Sequence, residues 1–131
     1  MPDSFLVIDD SKLLHQMYKV IFSQGTLKGS TVHFAANGRD GYGLLAAHPD
    51  LTLVLLDLNM PEMNGLEVLA RRQAEQLHPH VPIALVTTEG SEEDEARGRA
   101  VGAWDYLRKP FQPPDIQRLV ERARAYAAAR A

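Results

Sequence analysis

Polar residues follow several apolar runs of this 131-residue chain, and their types suit chemistry on a phosphoryl group. Short apolar runs are typical of strands buried on both faces of a parallel sheet. Ligands of open α/β sheets bind outside the carboxyl ends of such strands. Neighbouring strands would therefore bring carboxylates, a hydroxyl and an amine into one cleft, which could hold a divalent cation and stabilise a phosphoryl group. The polar residues are Asp9 and Asp10 after run 5–8, Asp57 after 51–56, Thr87 and Thr88 after 82–86, and Lys109 after 104–108.

Asp9 and Asp10 are adjacent carboxylates that would repel each other if both were buried, unless a cation offset their charge. Magnesium favours one or two carboxylates together with water and phosphate oxygens, so it fits this pair. The alternative is that Asp10 and Ser11 only cap the helix that follows, and the dipeptide alone favours this simpler interpretation.

Asp57 follows a run without charge and, taken alone, could be a turn residue at a strand end. A carboxylate oxygen is also a competent nucleophile toward phosphorus and can form an acyl phosphate. Asn59 could offer its backbone carbonyl to the same cation. Lys109 and Thr87 could supply a positive charge and a hydroxyl donor to the transferred phosphoryl group. In isolation, a solvated lysine and a strand threonine are the simpler interpretations, but Pro110 restricts the backbone beside Lys109.

Strand and helix patterns alternate along the whole chain, as is typical of βα units that form a parallel sheet. We expect one (βα)5 domain over residues 1–131. Ser11 should cap the first helix, and Ser91 should begin a capping box at the start of the fourth. The predicted apolar stripes are Leu13, Leu14, Met17, Val20 and Ile21 in the first helix, and Ile116, Leu119, Val120, Ala123 and Ala127 in the last.

The composition excludes several classes of protein. The net charge of −3 argues against a nucleic-acid binder, which needs a basic surface. The absence of cysteine excludes thiolate metal sites and disulfides. No apolar stretch has membrane-spanning length, and no basic leader precedes Phe5. We therefore expect a cytoplasmic protein without nucleic-acid or membrane partners. His78 and His80 are interpreted as solvated residues rather than metal ligands.

Several short motifs occur along the chain. They are Asp9-Asp10, Asp57 with Met60-Pro61 and Gly65, Thr87, Gly102-Ala103, Tyr106 and Lys109-Pro110-Phe111. Taken together, these motifs resemble a response-regulator receiver domain, close to the stand-alone chemotaxis type, and they stand in the family's order and spacing over essentially the whole chain. The resemblance implies an α/β, doubly wound, flavodoxin-like fold whose five parallel strands have the order 2-1-3-4-5.

The resemblance also implies roles for the site residues. Asp57 would accept a phosphoryl group from a phosphohistidine on a sensor histidine kinase or a histidine phosphotransfer protein. Asp10 would bind Mg²⁺ directly, or Mn²⁺ in its place, and Asp9 would help through water. Asp57 and the Asn59 carbonyl would complete the protein ligands, and Lys109 would contact the phosphate.

Further roles implied by the resemblance concern switching. Thr87 would hydrogen-bond the phosphate, and its movement would be coupled to inward rotation of Tyr106. The surface of the fourth helix, fifth strand and fifth helix, near 91–100 and 104–128, would then bind a downstream protein target. Thr88 stands where a smaller residue is usual, which would narrow access to the phosphate. Asn59 and Glu89 occupy positions that tune phosphate lifetime.

These expectations describe a signalling module that catalyses only its own phosphorylation and dephosphorylation. One alternative is a receiver that docks partners regardless of phosphate. Another is a small aspartyl-phosphate phosphohydrolase of the haloacid-dehalogenase type, which Asn59 disfavours because that chemistry has a second acid at this position. The sequence leaves open whether the protein is a monomer or a phosphorylation-dependent dimer, and whether the chain is cut from a longer protein with an output domain.

Overall fold

The computed structural model describes residues 3–60, 62–88 and 92–130, and within them strands and α-helices alternate. A short 3-10 helix, Gly25–Leu27, follows the first α-helix. The order of elements confirms the predicted succession of βα units. The elements are β1 (Ser4–Ile8), α1 (Lys12–Phe22), β2 (Thr31–Ala35), α2 (Gly38–Ala47), β3 (Leu53–Asp57), α3 (Gly65–Glu75), β4 (Ile83–Thr87), α4 (Glu92–Ala100), β5 (Asp105–Arg108) and α5 (Pro113–Arg130).

The strands form one parallel sheet in the order β2-β1-β3-β4-β5, which confirms the predicted fold and strand order. The register places Ile8 beside Leu56, and Asp57 beside Val86. Because β1 has β2 on one side and β3 on the other, the order of the strands reverses at β1. This switch point is where doubly wound sheets bind their ligands.

Both faces of the sheet are covered by helices. Successive strand side chains point to opposite faces, so Phe5 and Val7 pack with residues of α1 and α5, whereas Leu6 and Ile8 pack with residues of α2 and α3. The central strands β3 and β4 are buried along their whole length. Burial on both faces explains why these strands have continuous apolar sequences rather than alternating ones.

The prediction for the apolar stripe of α1 was partly wrong. Leu13, Met17 and Val20 are 73%, 41% and 57% exposed. The buried face of the helix instead centres on Tyr18 and Ile21, together with Phe22. With 3.6 residues per turn, the exposed stripe lies on a helix face next to the buried one and points away from the sheet. In α5, by contrast, the predicted residues from Ile116 to Ala123 are buried, and Ala127 is partly buried.

Helix caps fix where the chain leaves the strands. The predicted cap of α1 is confirmed, because the Leu14 N–H donates to Ser11 Oγ at 3.2 Å. Asn64 and Glu67 form a capping box at the start of α3 that was not predicted from the sequence. The predicted cap at Ser91 lies outside the described residues. Among the described helices, none has the length and hydrophobicity that a bilayer crossing requires.

Candidate functional site

The candidate site lies at the carboxyl ends of the strands. Asp9 directly follows β1, Asp57 ends β3, Thr87 ends β4, and Lys109 directly follows β5. One carboxylate oxygen from each of Asp9, Asp10 and Asp57 lies within 4.8 Å of the others. The structure therefore brings these residues together as predicted, although they are distant in sequence.

Lys109 links two of the carboxylates. Its Nζ lies 2.8 Å from Asp9 Oδ2 and 3.4 Å from Asp57 Oδ1. The side chains of Lys109, Asp9 and Asp57 are only 12%, 3% and 8% exposed, so solvent screens these pairs weakly. The backbone N–H of Lys109 donates to the Thr87 carbonyl at 2.8 Å and holds the lysine beside β4.

Asp9 and Asp10 are not buried together. Asp9 is buried, and its carboxylate accepts hydrogen bonds from the Ser11 N–H and the Lys109 amine. Asp10, in contrast, is exposed. The repulsion between the two carboxylates is reduced in this arrangement, because Asp9 pairs with the Lys109 ammonium group and Asp10 faces solvent.

The pKa of Asp57 is raised from 3.8 to about 6. The largest cause is burial, which disfavours the charged carboxylate, and the negative charge of Asp9 adds to it. The charge and hydrogen bond of Lys109 lower the pKa, as does a hydrogen bond from the Asn59 backbone. Above pH 6 the carboxylate form predominates, which is the form that can act as a nucleophile.

The backbone must pass very close to Asp57, and a glycine permits it. A Cβ atom added to Gly65 would lie 2.5 Å from the Asp57 carbonyl oxygen. The loop after β3 can therefore turn tightly onto α3 only with glycine at this position. This close approach explains why the motif has a glycine at position 65.

The remaining predicted residues lie around this centre with different degrees of burial. Thr87 is fully buried, whereas Asn59 and Thr88 are exposed. The hydroxyl of Tyr106 is buried and has no hydrogen-bond partner among the described residues. Its pKa is raised by burial first, and then by the negative charges of Asp94 and Glu95 on α4. Glu89 lies outside the described residues.

Two residues of α1 that were not predicted from the sequence lie close to the site. His15 Nε2 lies 2.6 Å from the Asp9 carbonyl oxygen. Tyr18 is buried, and its pKa is raised by burial and by the charges of Asp9 and Asp57. Its ring centroid lies 5.3 Å from that of Phe111, which is two residues after Lys109. The one feature of the sequence that could have indicated them is that His15 and Tyr18 are polar residues in the helix that begins at the site.

The donor atoms suit a hard divalent cation. The cluster offers carboxylate oxygens from three residues and no nitrogen or sulfur ligand. Mg²⁺ and Mn²⁺ prefer oxygen ligands of this kind, whereas zinc sites usually include histidine or cysteine. The residues present therefore fit the magnesium site expected from the sequence.

Comparison with known proteins gives one consistent family. The profile described as "Response regulator receiver domain" matches residues 5–121. A chemotaxis protein CheY homolog of Campylobacter jejuni is 34% identical over 116 residues, covering 88% of each chain. Transcriptional regulatory protein SrrA of Staphylococcus aureus is 31% identical over 116 residues, which are 88% of this chain and 45% of SrrA.

Solved structures agree with this result. Chemotaxis protein CheY4 of Vibrio cholerae superposes with a TM-score of 0.83 at 30% identity, covering 94% of this chain and 99% of CheY4. A CheY-like receiver domain of Methanospirillum hungatei superposes with a TM-score of 0.86 at 25% identity, covering 98% and 99% of the two chains.

Proposed function

The chain belongs to the response regulator receiver domain family, and we propose that Asp57 is its phosphoacceptor in a signalling module switched by phosphorylation. The observation that carries the proposal is the position of the Asp57 carboxylate, which is buried beside Lys109 Nζ and within reach of the Asp9 and Asp10 carboxylates. The phosphoryl donor would be a phosphohistidine on a sensor histidine kinase or a histidine phosphotransfer protein.

In the transfer, an Asp57 oxygen forms a bond to phosphorus as the phosphorus–nitrogen bond of the donor breaks. The electron pair of the broken bond leaves with the imidazole, and Asp57 becomes an acyl phosphate. Asp9, Asp10, Asp57 and the Asn59 carbonyl would hold Mg²⁺, or Mn²⁺ in its place. When bound, the cation offsets negative charge on the carboxylates and on the phosphoryl oxygens.

Lys109 is positioned to stabilise the charge that the phosphoryl group brings. Its amine already pairs with Asp57 at 3.4 Å, so a phosphoryl group on Asp57 would lie within its reach. Thr87, at the end of the neighbouring strand, would donate its hydroxyl to the same group. Catalysis by this site consists of orientation and charge stabilisation, as is typical of phosphoryl transfer. The reaction is limited to the protein's own phosphorylation and dephosphorylation.

Phosphorylation would then shift the population of two arrangements of the receiver. Movement of Thr87 toward the phosphate would be coupled to the position of Tyr106, whose buried hydroxyl has no partner in the described part of the chain. The surface formed by α4, β5 and α5 would bind the downstream protein target. On this surface Arg122 of α5 forms an ion pair with Asp105 and lies over the Trp104 ring.

Intact mass spectrometry tests the proposal. The protein is incubated with acetyl phosphate in the presence and absence of Mg²⁺, alongside Asp57→Asn and the matched control Asp50→Asn, which replaces an exposed aspartate. We expect a Mg²⁺-dependent phosphoryl adduct on wild-type protein and Asp50→Asn, and none on Asp57→Asn. An adduct of equal yield on Asp57→Asn would show that another residue is the acceptor.

A further inference from the structure

Asp10 lacks the side-chain anchors that hold the other two carboxylates of the site. Lys109 Nζ pairs with Asp9 and Asp57, and the Ser11 N–H donates to Asp9 Oδ1 at 2.8 Å. In the described part of the chain, no hydrogen bond or ion pair reaches the carboxylate of Asp10. The backbone of the turn between β1 and α1 sets the direction of its Cα–Cβ bond, from which the carboxylate extends.

His15 fixes that backbone. Its Nε2 lies 2.6 Å from the carbonyl oxygen of Asp9, in the peptide group that joins Asp9 to Asp10. Because a carbonyl oxygen only accepts, Nε2 carries the proton of this hydrogen bond. The N–H of Asp9 also donates to the Ala35 carbonyl at 3.0 Å. Both backbone groups of Asp9 are therefore hydrogen-bonded. Because the peptide group is planar, its orientation also fixes the direction of the N–Cα bond of Asp10.

The imidazole of His15 is itself held in place. Its ring centroid lies 4.9 Å from that of Phe34 on β2, and the rings are tilted by 42°. His15 is half-buried between α1 and the edge strand of the sheet. A donor whose side chain is fixed by packing can orient a neighbouring group more precisely than a mobile one.

We propose that His15 is a positioning residue for the metal site. Its hydrogen bond to the Asp9 carbonyl directs the Asp10 carboxylate toward the position of the divalent cation. This inference rests on the proposed function, because it requires that the three carboxylates bind a cation. It adds a residue outside the carboxylates, lysine and threonine to the groups on which cation affinity depends.

The affinity for Mg²⁺ alone, measured by isothermal titration calorimetry, tests the inference without phosphorylation. His15→Phe keeps a flat ring against Phe34 but removes the donor, and we expect a rise in Kd of roughly three- to tenfold, the size of effect that one hydrogen bond supports. His15→Gln places an amide nitrogen near the position of Nε2, and its Kd should return to within about twofold of the wild-type value. His80→Phe is the matched control, because His80 Nε2 lies 2.9 Å from the Pro49 carbonyl, away from the carboxylates.

Unfolding curves in EDTA separate positioning from a purely structural role. A His15→Phe protein that is less stable but binds Mg²⁺ with wild-type affinity would overturn the inference. A His15→Gln protein that binds Mg²⁺ as weakly as His15→Phe would overturn it too. In both cases the proposed function would stand, because the wild-type protein binds Mg²⁺. Wild-type protein that binds no Mg²⁺ would overturn the metal site and this inference together.

A second measurement needs no variant. Long-range ¹H–¹⁵N spectra of wild-type protein at alkaline pH distinguish the two neutral tautomers of histidine. We expect the proton of His15 on Nε2. A proton on Nδ1 would overturn the inference, because Nε2 could not then donate to the Asp9 carbonyl.

Discussion

In the absence of metal, Asp57→Asn should stabilise the protein at neutral pH, although it removes the proposed phosphoacceptor. The pKa of Asp57 rises from 3.8 to about 6 in the folded protein, chiefly because the carboxylate is buried. At about 1.4 kcal/mol for each pKa unit, ionised Asp57 costs the folded state roughly 3 kcal/mol. The amide of Asn cannot ionise, but it brings an N–H group near Lys109, so we expect a net gain of about 1–3 kcal/mol.

The gain should depend on pH in a defined direction. Since the pKa is higher in the folded state, the folded protein binds more protons than the unfolded chain between pH 3.8 and about 6. The stability of wild-type protein is therefore lost as pH rises through that range, relative to Asp57→Asn. The difference between the two proteins should be about a fifth of its full size at pH 4 and complete above about pH 7.

Urea unfolding in EDTA at pH 4 and pH 7.5 measures this difference, with Asp50→Asn as the exposed control. Mg²⁺ should narrow it, because the cation stabilises wild-type protein by about 1.4 kcal/mol at ten times its Kd and stabilises Asp57→Asn less. An Asp57→Asn protein that is less stable than wild type at pH 7.5 in EDTA would refute the reasoning. So would a gain of equal size at both pH values.

Further predictions concern residues away from the phosphoacceptor. Tyr106→Phe should leave the free energy of unfolding unchanged or raise it by up to about 1 kcal/mol, because the buried hydroxyl has no partner in the described residues; a clear loss in urea unfolding would contradict this. Arg72→Met should cost about 2–4 kcal/mol by the same assay, since the buried guanidinium donates to three carbonyls in loop 77–81; a loss below 1 kcal/mol would show that the loop holds without it. The pKa of His33 lies below 6.5, first because of burial and then because of the charge of His48. The two imidazole rings are stacked, with their centroids 4.0 Å apart. The contribution of His33 to stability should therefore fall as pH drops below 6.5, and His33→Phe should remove that contribution from the pH profile; a profile with the wild-type slope would exclude this effect of His33.

The fold could be predicted from the sequence because its strands are buried on both faces and joined by helices. Strands such as β3 then appear as continuous apolar runs, and a polar residue such as Asp57 marks the end where a parallel sheet places its ligands. The gathering of the site residues follows from topology alone. The boundaries were less certain: β3 begins at Leu53 rather than Leu51, because the apolar residue before a strand has the same pattern as the strand itself.

Features that depend on three-dimensional packing could not be predicted. The apolar pattern of α1 allowed more than one helix face to be the buried one, and the sheet contacts select the face with Tyr18 rather than the face with Met17. The bonds of Arg72 to loop carbonyls and of His15 to Asp9 join a side chain to backbone atoms, which leave no signature in the sequence. The chemical roles of all the site residues, including Asp57, Tyr106 and Glu89, stay predictions.

The most direct test of the central claim is to locate the phosphoryl group on the chain. Reduction of an acyl phosphate with borohydride converts the aspartate to homoserine, which tandem mass spectrometry can place at a single position. After incubation with acetyl phosphate and Mg²⁺, we predict homoserine at position 57. Homoserine at Asp9 or Asp10, with an unmodified Asp57, would contradict the account.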